Sequence, residues 1–178
     1  MKGELLENRI VVWNRRESRD LFANGYFGKP IGIPKPNVND INVPLILDLI
    51  EGCYLQEISK IKITKNGKKV SLDTLIKICR KEYHNFDKKF QVYKDFREKG
   101  YVINPGIKFG CDFAVYQKGP GIDHAPYLVQ VYNKNDDISS TAVVLAGRLA
   151  SSVKKQFILA IPRDKDKIDY LALDWWRA

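Results

Sequence analysis

The second half of the sequence alternates between strand-like and helix-like patterns of apolar residues. Tyr127 to Tyr132 is rich in aromatic and β-branched residues, Ser139 to Ser152 carries apolar side chains at helical spacing, and Phe157 to Ile161 is an apolar run typical of a buried strand. A last strand is predicted from Ile168 to Trp175. Strands interleaved with helices predict an α/β (α+β) layered domain, and no internal repeat is found.

The helix predicted from Ser139 to Ser152 has an apolar set that should face the core. Its members are Val143, Leu145, Ala146 and Leu149.

A further helix is predicted ahead of these elements, from Phe86 to Lys99, and Gly100 should stop it. Extended chain follows over Tyr101 to Ile103 and over Asp112 to Tyr116. We therefore expect a second domain over residues 83–178.

The first half predicts a smaller mixed domain over residues 1–82. Arg9 to Trp13 is a strand pattern, and Ser18 is expected to cap a short helix that ends near Asn24. Val43 to Tyr54 has apolar residues at helical spacing, including Leu45 and Leu49, and predicts a longer helix.

A tight hairpin is predicted next, because Asn66 and Gly67 both accept positive φ. Ser71 should then cap a helix whose apolar face includes Leu75 and Cys79.

The charge balance favours a polyanionic partner. Lys and Arg number 30 against 21 Asp and Glu, giving a formal charge of +9 and a pI of about 9.4. We expect nucleic acid to be the partner first of all, because a positively charged protein attracts the phosphate groups of DNA and RNA. A lysine-rich surface with one Met is also typical of heat-adapted proteins.

Other global features narrow the class of protein. No apolar run of membrane-spanning length occurs, and the N-terminus lacks a secretory pattern, so we expect a cytoplasmic protein without a membrane partner. The three cysteines, Cys53, Cys79 and Cys111, are widely spaced and include no C-x-x-C pair, so the sequence predicts neither a disulfide framework nor a zinc site. We expect all three to be buried as small apolar residues.

Three residues offer the chemistry needed to cleave RNA without a metal. Such cleavage requires a base for the 2′-OH, an acid for the leaving 5′ oxygen, and positive charge beside the transition state. Tyr116, His124 in a glycine-rich loop, and Lys155 after a helix supply these groups. Taken singly, each is weak evidence. A lone histidine in a loop is more often a surface residue, Tyr116 could be a strand-end aromatic, and Lys155 could be a helix-end cation.

The order of these segments resembles the archaeal tRNA-splicing endonucleases, also called tRNA-intron lyases. Residues 113–132, FAVYQKGPGIDHAPYLVQVY, are similar to the family's tyrosine, glycine loop, histidine and strand. Residues 146–161, AGRLASSVKKQFILAI, are similar to its arginine, Ser-Val, lysine and apolar strand. Residues 66–75, NGKKVSLDTL, resemble its N-terminal domain more loosely.

The resemblance implies a role for each matching residue. Tyr116 would be the general base, His124 the general acid and Lys155 the group that stabilises the transition state. A phenol, with an ordinary pKa near ~10, is a weak base at neutral pH, so the first role needs positive charge nearby, which the lysine could supply.

The resemblance also implies how RNA is held and where it is cut. Arg148 would stack on a bulged base, and Trp175 or Trp176 would form the other half of the clamp. The implied substrate is a pre-tRNA with a bulge-helix-bulge motif, cut without a cofactor to 2′,3′-cyclic phosphate and 5′-OH ends.

The implied architecture is a small mixed N-terminal domain followed by a restriction-endonuclease-like, three-layer catalytic domain. Members of this length work as homotetramers or as heterotetramers with a structural subunit, so we expect at least a homodimer. The segment Arg163 to Asp169 corresponds in position to an acidic loop that docks on a partner, but here it is interleaved with basic residues.

The sequence leaves two alternatives open. A metal-dependent nuclease of the same fold would need converging carboxylates, for which Asp112, Asp123, Asp136 and Asp137 are the candidates. The other alternative is a non-catalytic structural subunit or an RNA-binding module, against which the joint presence of Tyr116, His124 and Lys155 argues.

Overall fold

A computed structural model describes residues 1–34, 36–38, 41–122, 124–163 and 167–173 of the protein. The chain divides into two compact units, Met1–Phe86 and Asp87–Ala178. Both combine helices with a mixed sheet, so the predicted mixed α/β class is confirmed. No helix within these ranges is long and apolar enough to cross a membrane.

The first unit contains a six-stranded sheet with the order β3-β4-β2-β1-β5-β6. Strands β1 and β5 pair in parallel and the other neighbours are antiparallel. The strands are β1 (Lys2–Leu6), β2 (Arg9–Val12), β3 (Lys29–Pro30), β4 (Leu45–Leu47), β5 (Lys62–Lys65) and β6 (Lys68–Lys69).

The first helix, α1 (Arg15–Ala23), begins earlier than predicted. The side chain of Asn14 accepts hydrogen bonds from the backbone N–H groups of Arg16 and Glu17, so Asn14 is the N-cap and the prediction of Ser18 was wrong. Ser18 lies inside the helix, where its buried hydroxyl donates to the carbonyl oxygen of Val12 at 2.9 Å.

The single helix predicted from Val43 to Tyr54 is also wrong in its first half. Leu45–Leu47 is strand β4, and Asp48 then caps helix α2 (Leu49–Glu57) through a capping box with Glu51. Leu45 and Leu47 are fully buried and lie two positions apart, which is the spacing of one face of a strand. The apolar residues of this segment also fit the spacing of a helix, so their pattern alone did not distinguish the two structures.

The hairpin and the following helix are confirmed. Asn66 and Gly67 have φ angles of 50° and 75° between β5 and β6, as a tight turn requires. Ser71 caps α3 (Leu72–Glu82) by accepting a hydrogen bond from the N–H of Thr74, and Leu75 and Cys79 are fully buried.

The second unit is built on a five-stranded sheet with the order β11-β10-β9-β8-β7. Only β9 and β10 pair in parallel, and helix α5 connects them. The elements are α4 (Phe86–Glu98), β7 (Val102–Pro105), β8 (Phe113–Tyr116), β9 (Tyr127–Val131), α5 (Ser140–Ser152), β10 (Gln156–Pro162) and β11 (Ile168–Leu173).

Helix α5 packs against the sheet through small residues. Gly147 and Ala150 are its buried positions, whereas Leu145 is 61% exposed, so the prediction that Leu145 faces the core was wrong. Ala150 belongs to a core cluster with Ala125 and Phe157, among others. Because the close approach of helix and sheet leaves room only for small side chains, apolar spacing alone did not identify the buried face.

The remaining predictions for this unit are met within the described residues. Helix α4 ends at Glu98, with Gly100 at a φ of 85°, and β11 is traced as far as Leu173. The predicted end of that strand at Trp175 lies outside the described residues. All three cysteines are buried, as predicted, and each is a thiol in the structure.

Candidate active site

Tyr116, His124 and Lys155 lie at one end of the second sheet. Tyr116 is the last residue of β8, and Lys155 immediately precedes β10. The first residue of β9, Tyr127, pairs with Val115 on one side and with Gln156 on the other. Since neighbouring strands are about 4.8 Å apart, the backbones of Tyr116 and Lys155 lie roughly 10 Å from each other.

His124 comes from the loop that joins β8 to β9 at this same end of the sheet. Two glycines shape the loop: Gly119 and Gly121 have φ angles of 134° and 90°, and the N–H of Ile122 donates to the carbonyl oxygen of Gly119 at 3.1 Å. His124 is exposed, and it makes no hydrogen bond to another described residue. The next residue, Ala125, is buried in the core cluster and anchors the histidine's backbone.

Lys155 is placed by the way α5 ends. The N–H of Lys155 donates to the carbonyl oxygen of Ala150 at 2.8 Å, and the N–H of Lys154 donates to that of Ser151 at 3.2 Å. These two bonds form a Schellman motif, with Lys154 in the left-handed region at a φ of 53°. The motif turns the chain sharply from the helix into β10 and fixes the backbone of Lys155.

The ammonium group of Lys155 has two neighbours from other segments. It donates a hydrogen bond to the carbonyl oxygen of Ala125 at 2.5 Å and lies 5.5 Å from the centre of the Phe109 ring. A carbonyl oxygen and an aromatic face both attract a cation, so they hold the ammonium group of Lys155 beside the backbone of His124. Neither Ala125 nor Phe109 was identified from the sequence, because neither carries a chemical signal of its own.

Tyr116 is half-buried. Its ring packs against the core cluster that also contains Ala125 and Ala150, and Phe109 packs against the same cluster. The packing restricts the ring of Tyr116, while its position at the strand end leaves the side chain partly open to solvent.

Arg148 lies on the exposed face of α5, four residues before the helix ends. Val144 and Leu145, one turn earlier, are exposed with it, and the arginine has no ion pair with a described residue. An exposed guanidinium beside apolar side chains can stack on an unpaired base. The other predicted clamp residues, Trp175 and Trp176, lie outside the described residues.

Two of the four carboxylates considered for a metal site, those of Asp112 and Asp136, have structural partners, and a third, that of Asp137, is exposed. Asp112 accepts the N–H of Val131 at 2.9 Å and pairs with Lys89 at 2.6 Å, and Asp136 accepts hydrogen bonds from Asn133. Asp123 lies outside the described residues. Among the residues that the structure describes, no group of three or more His, Cys, Asp or Glu side chains could hold a metal ion.

Comparison with known families and proteins matches almost the whole chain. A family model described as the catalytic C-terminal domain of tRNA intron endonuclease matches residues 86–170, and one for the N-terminal domain matches residues 1–76. Proteins named tRNA-splicing endonuclease are similar over 98% of this chain and 98% of their own length. They come from Sulfurisphaera tokodaii at 44% identity, Hyperthermus butylicus at 43% and Pyrobaculum islandicum at 41%.

Proposed function

The chain belongs to the tRNA intron endonuclease family and carries its catalytic domain, and from this premise we propose that it removes introns from pre-tRNA by metal-independent transesterification. We assign the catalytic domain to residues 83–178 and the N-terminal domain to residues 1–82. The observation that supports the proposal most directly is that Tyr116, His124 and Lys155 all lie at one end of a single sheet.

In the proposed reaction the ribose 2′ oxygen attacks the adjacent phosphorus. Tyr116 takes the proton of the 2′-OH, the new P–O2′ bond forms, and the P–O5′ bond breaks. His124 gives a proton to the departing 5′ oxygen, so the products carry a 2′,3′-cyclic phosphate and a 5′-OH. One proton is removed and one is supplied, and no metal or other cofactor takes part.

Lys155 is proposed to stabilise the extra negative charge on the phosphate oxygens in the transition state. Its ammonium uses one of three N–H donors on the carbonyl oxygen of Ala125, which leaves two donors for the phosphate. A positive charge of this kind is also what the proposed role of Tyr116 requires, since a phenol acts as a base in its ionised form.

The proposed substrate site is a bulge-helix-bulge. An A-form helix does not align the 2′ oxygen with the P–O5′ bond, whereas a splayed nucleotide can adopt that geometry. The exposed face of α5, with Arg148 beside Leu145, is suited to stack on such a nucleotide, and Trp175 or Trp176 is proposed to hold its other side. The protein's net charge of +9 supports binding to the phosphates of the RNA helices on either side of the bulge.

We propose that the chain works at least as a homodimer, within a homotetramer or a heterotetramer with a structural subunit. Removing an intron takes two cuts, and each chain supplies one catalytic set. Strand β11 is at the edge of its sheet, and Leu171 on it is 52% exposed, so this edge is a candidate surface for self-pairing.

The test compares two RNAs of matched sequence in excess EDTA: one with a bulge-helix-bulge, the other paired throughout by compensating bases. We expect cleavage of the bulged RNA alone, with cyclic phosphate ends identified by their resistance to a phosphomonoesterase, which acid opening of the ring removes. Cleavage that appears only after Mg²⁺ is added would overturn the metal-independent mechanism. Silence with and without Mg²⁺ would overturn catalysis by this chain alone and favour the structural-subunit alternative.

A further inference from the structure

Two buried thiols in the first unit lie side by side and play no part in the proposed reaction. Cys53 on α2 and Cys79 on α3 have their Sγ atoms 3.3 Å apart, and both residues are fully buried. They are separated by 26 positions in the chain. This contact is therefore a tertiary one between two packed helices.

We propose that Cys53 and Cys79 form a disulfide cross-link between α2 and α3 when the chain folds under oxidising conditions. A disulfide has its sulfur atoms about 2.05 Å apart, so the two Sγ atoms need to approach by about 1.2 Å to form the bond. The site is thus a modification site in the N-terminal half of the protein, independent of the RNA chemistry in the second unit.

The packing around α2 and α3 keeps the two helices together, so the two Sγ atoms can move closer more easily than the helices can separate. A Cβ atom added at Gly52 would lie 2.0 Å from a carbon of Ile10, which shows how closely α2 is packed on β2. On the other side, α3 is fixed by the Ser71 cap and the buried Leu75. Neither helix can move away from the other without opening this core.

The bond forms by two exchange steps with a small-molecule disulfide as the oxidant. The thiolate of one cysteine attacks the small disulfide, forms a mixed disulfide and releases one small thiol. The second protein thiolate then attacks the mixed disulfide and releases the other small thiol. The two protein thiols are oxidised by two electrons, the small disulfide is reduced, and the two protons end on the released thiols.

The timing follows from the burial of the pair. The hydrogen bond with the Cys79 thiol, together with burial, raises the pKa of Cys53, so the attacking thiolate is scarce in the folded protein. Exchange should therefore be slow once α3 has docked and fast while the chain is still folding.

Cys111 provides an internal reference. It is buried in the second unit, where its thiol donates to the carbonyl oxygens of Gly106 and Phe113 at 3.6 and 3.4 Å and faces no second sulfur. It should remain a thiol under conditions that oxidise the pair.

The experiment refolds the full chain in a mixture of oxidised and reduced glutathione, then denatures it without reductant and alkylates it. We expect one alkyl adduct, on Cys111, and a melting temperature roughly 5–15 °C above that of the reduced protein, as closing a loop of this length predicts. Cys111→Ala should keep the redox-dependent shift, and Cys79→Ala should lose it. Three adducts after oxidative refolding, or a melting shift that persists in Cys79→Ala, would overturn the proposal.

Discussion

The ammonium group of Lys155 donates a hydrogen bond of 2.5 Å to the carbonyl oxygen of Ala125, the residue directly after His124. This bond ties the start of β10 to the end of the glycine loop. It therefore links two residues of the proposed reacting set through one short contact, and it fixes the lysine's charge at the end of the sheet where Tyr116 also lies.

Removing the charge of Lys155 should slow the chemical step. We expect Lys155→Met to lower the single-turnover rate by on the order of 100- to 1000-fold, the loss typical of a group that stabilises transition-state charge. Binding of the RNA should weaken far less. A quench-flow assay at saturating protein separates the two effects.

Lys154→Gly is the matched control, because it removes a cation from the adjacent residue and keeps the Schellman motif. A lysine at a φ of 53° is strained, so glycine should stabilise the protein by up to about 1 kcal/mol and leave the cleavage rate unchanged. If both variants lost the same cleavage rate, Lys155 would contribute only to the overall positive charge and would have no specific role in the transition state.

Arg148 should matter for bulged RNA more than for paired RNA. Arg148→Ala removes the guanidinium from the exposed face of α5, and we expect the affinity for a bulge-helix-bulge RNA to fall about tenfold, with a smaller change for a plain duplex. Lys81→Ala on α3, which removes an exposed cation from the other unit, is the control for charge alone. Equal losses on both RNAs would make Arg148 an ordinary phosphate contact.

Asp112 should be a structural residue of the second unit. Asp112→Asn leaves Lys89 beside a neutral group at a mostly buried position, so we expect a loss of about 2–4 kcal/mol in the free energy of unfolding. Cleavage at temperatures where the variant is folded should persist. Adding Lys89→Met should recover part of the stability, as measured by urea unfolding of the single and double variants. Loss of cleavage with normal stability would instead point to a direct catalytic role.

Asp48 should make the stability of the first unit depend on pH in an unusual direction. Burial raises the pKa of this carboxyl, while the hydrogen bond from Ile50 and the charge of Arg9 oppose the rise. The folded state thus holds the proton more tightly than the unfolded state, whose pKa is near ~3.9. This contribution to stability is present below the unfolded pKa and is lost as the pH rises through the folded one.

Asp48→Asn keeps a capping oxygen for α2 and cannot ionise, so it isolates this effect. The stability of wild type relative to the variant should fall as the pH is raised from about 3 to 7, measured by urea unfolding. A relative stability that increases with pH would show that the ion pair with Arg9 outweighs burial.

The parts of the fold that could be predicted from the sequence are those with local signals. The Asn66-Gly67 turn, the cap at Ser71 and the glycine that follows α4 each require a particular backbone geometry, which only a few residue types supply. Leu45 was misplaced because the spacing of its apolar neighbours fits a strand and a helix equally, and only its pairing with β2 decides between them.

The candidate site was predictable to a different extent. Tyr116, His124 and Lys155 carry reactive groups, and their order along the chain resembles a known family. Phe109 could not have been found, because its contact with Lys155 depends on how the loop before β8 folds over the core cluster. The exposure of Leu145 could not be predicted either, because α5 packs on the sheet through Gly147, and this contact depends on the tertiary structure.

The most direct test of the central claim is the single-turnover cleavage rate of His124→Ala on a bulge-helix-bulge RNA in excess EDTA, with the dissociation constant measured alongside. The proposed mechanism predicts a loss on the order of 100- to 10,000-fold in rate, the contribution typical of a general acid, with an unchanged dissociation constant. Cleavage by His124→Ala at the wild-type rate would contradict the mechanism and remove His124 from the reacting set.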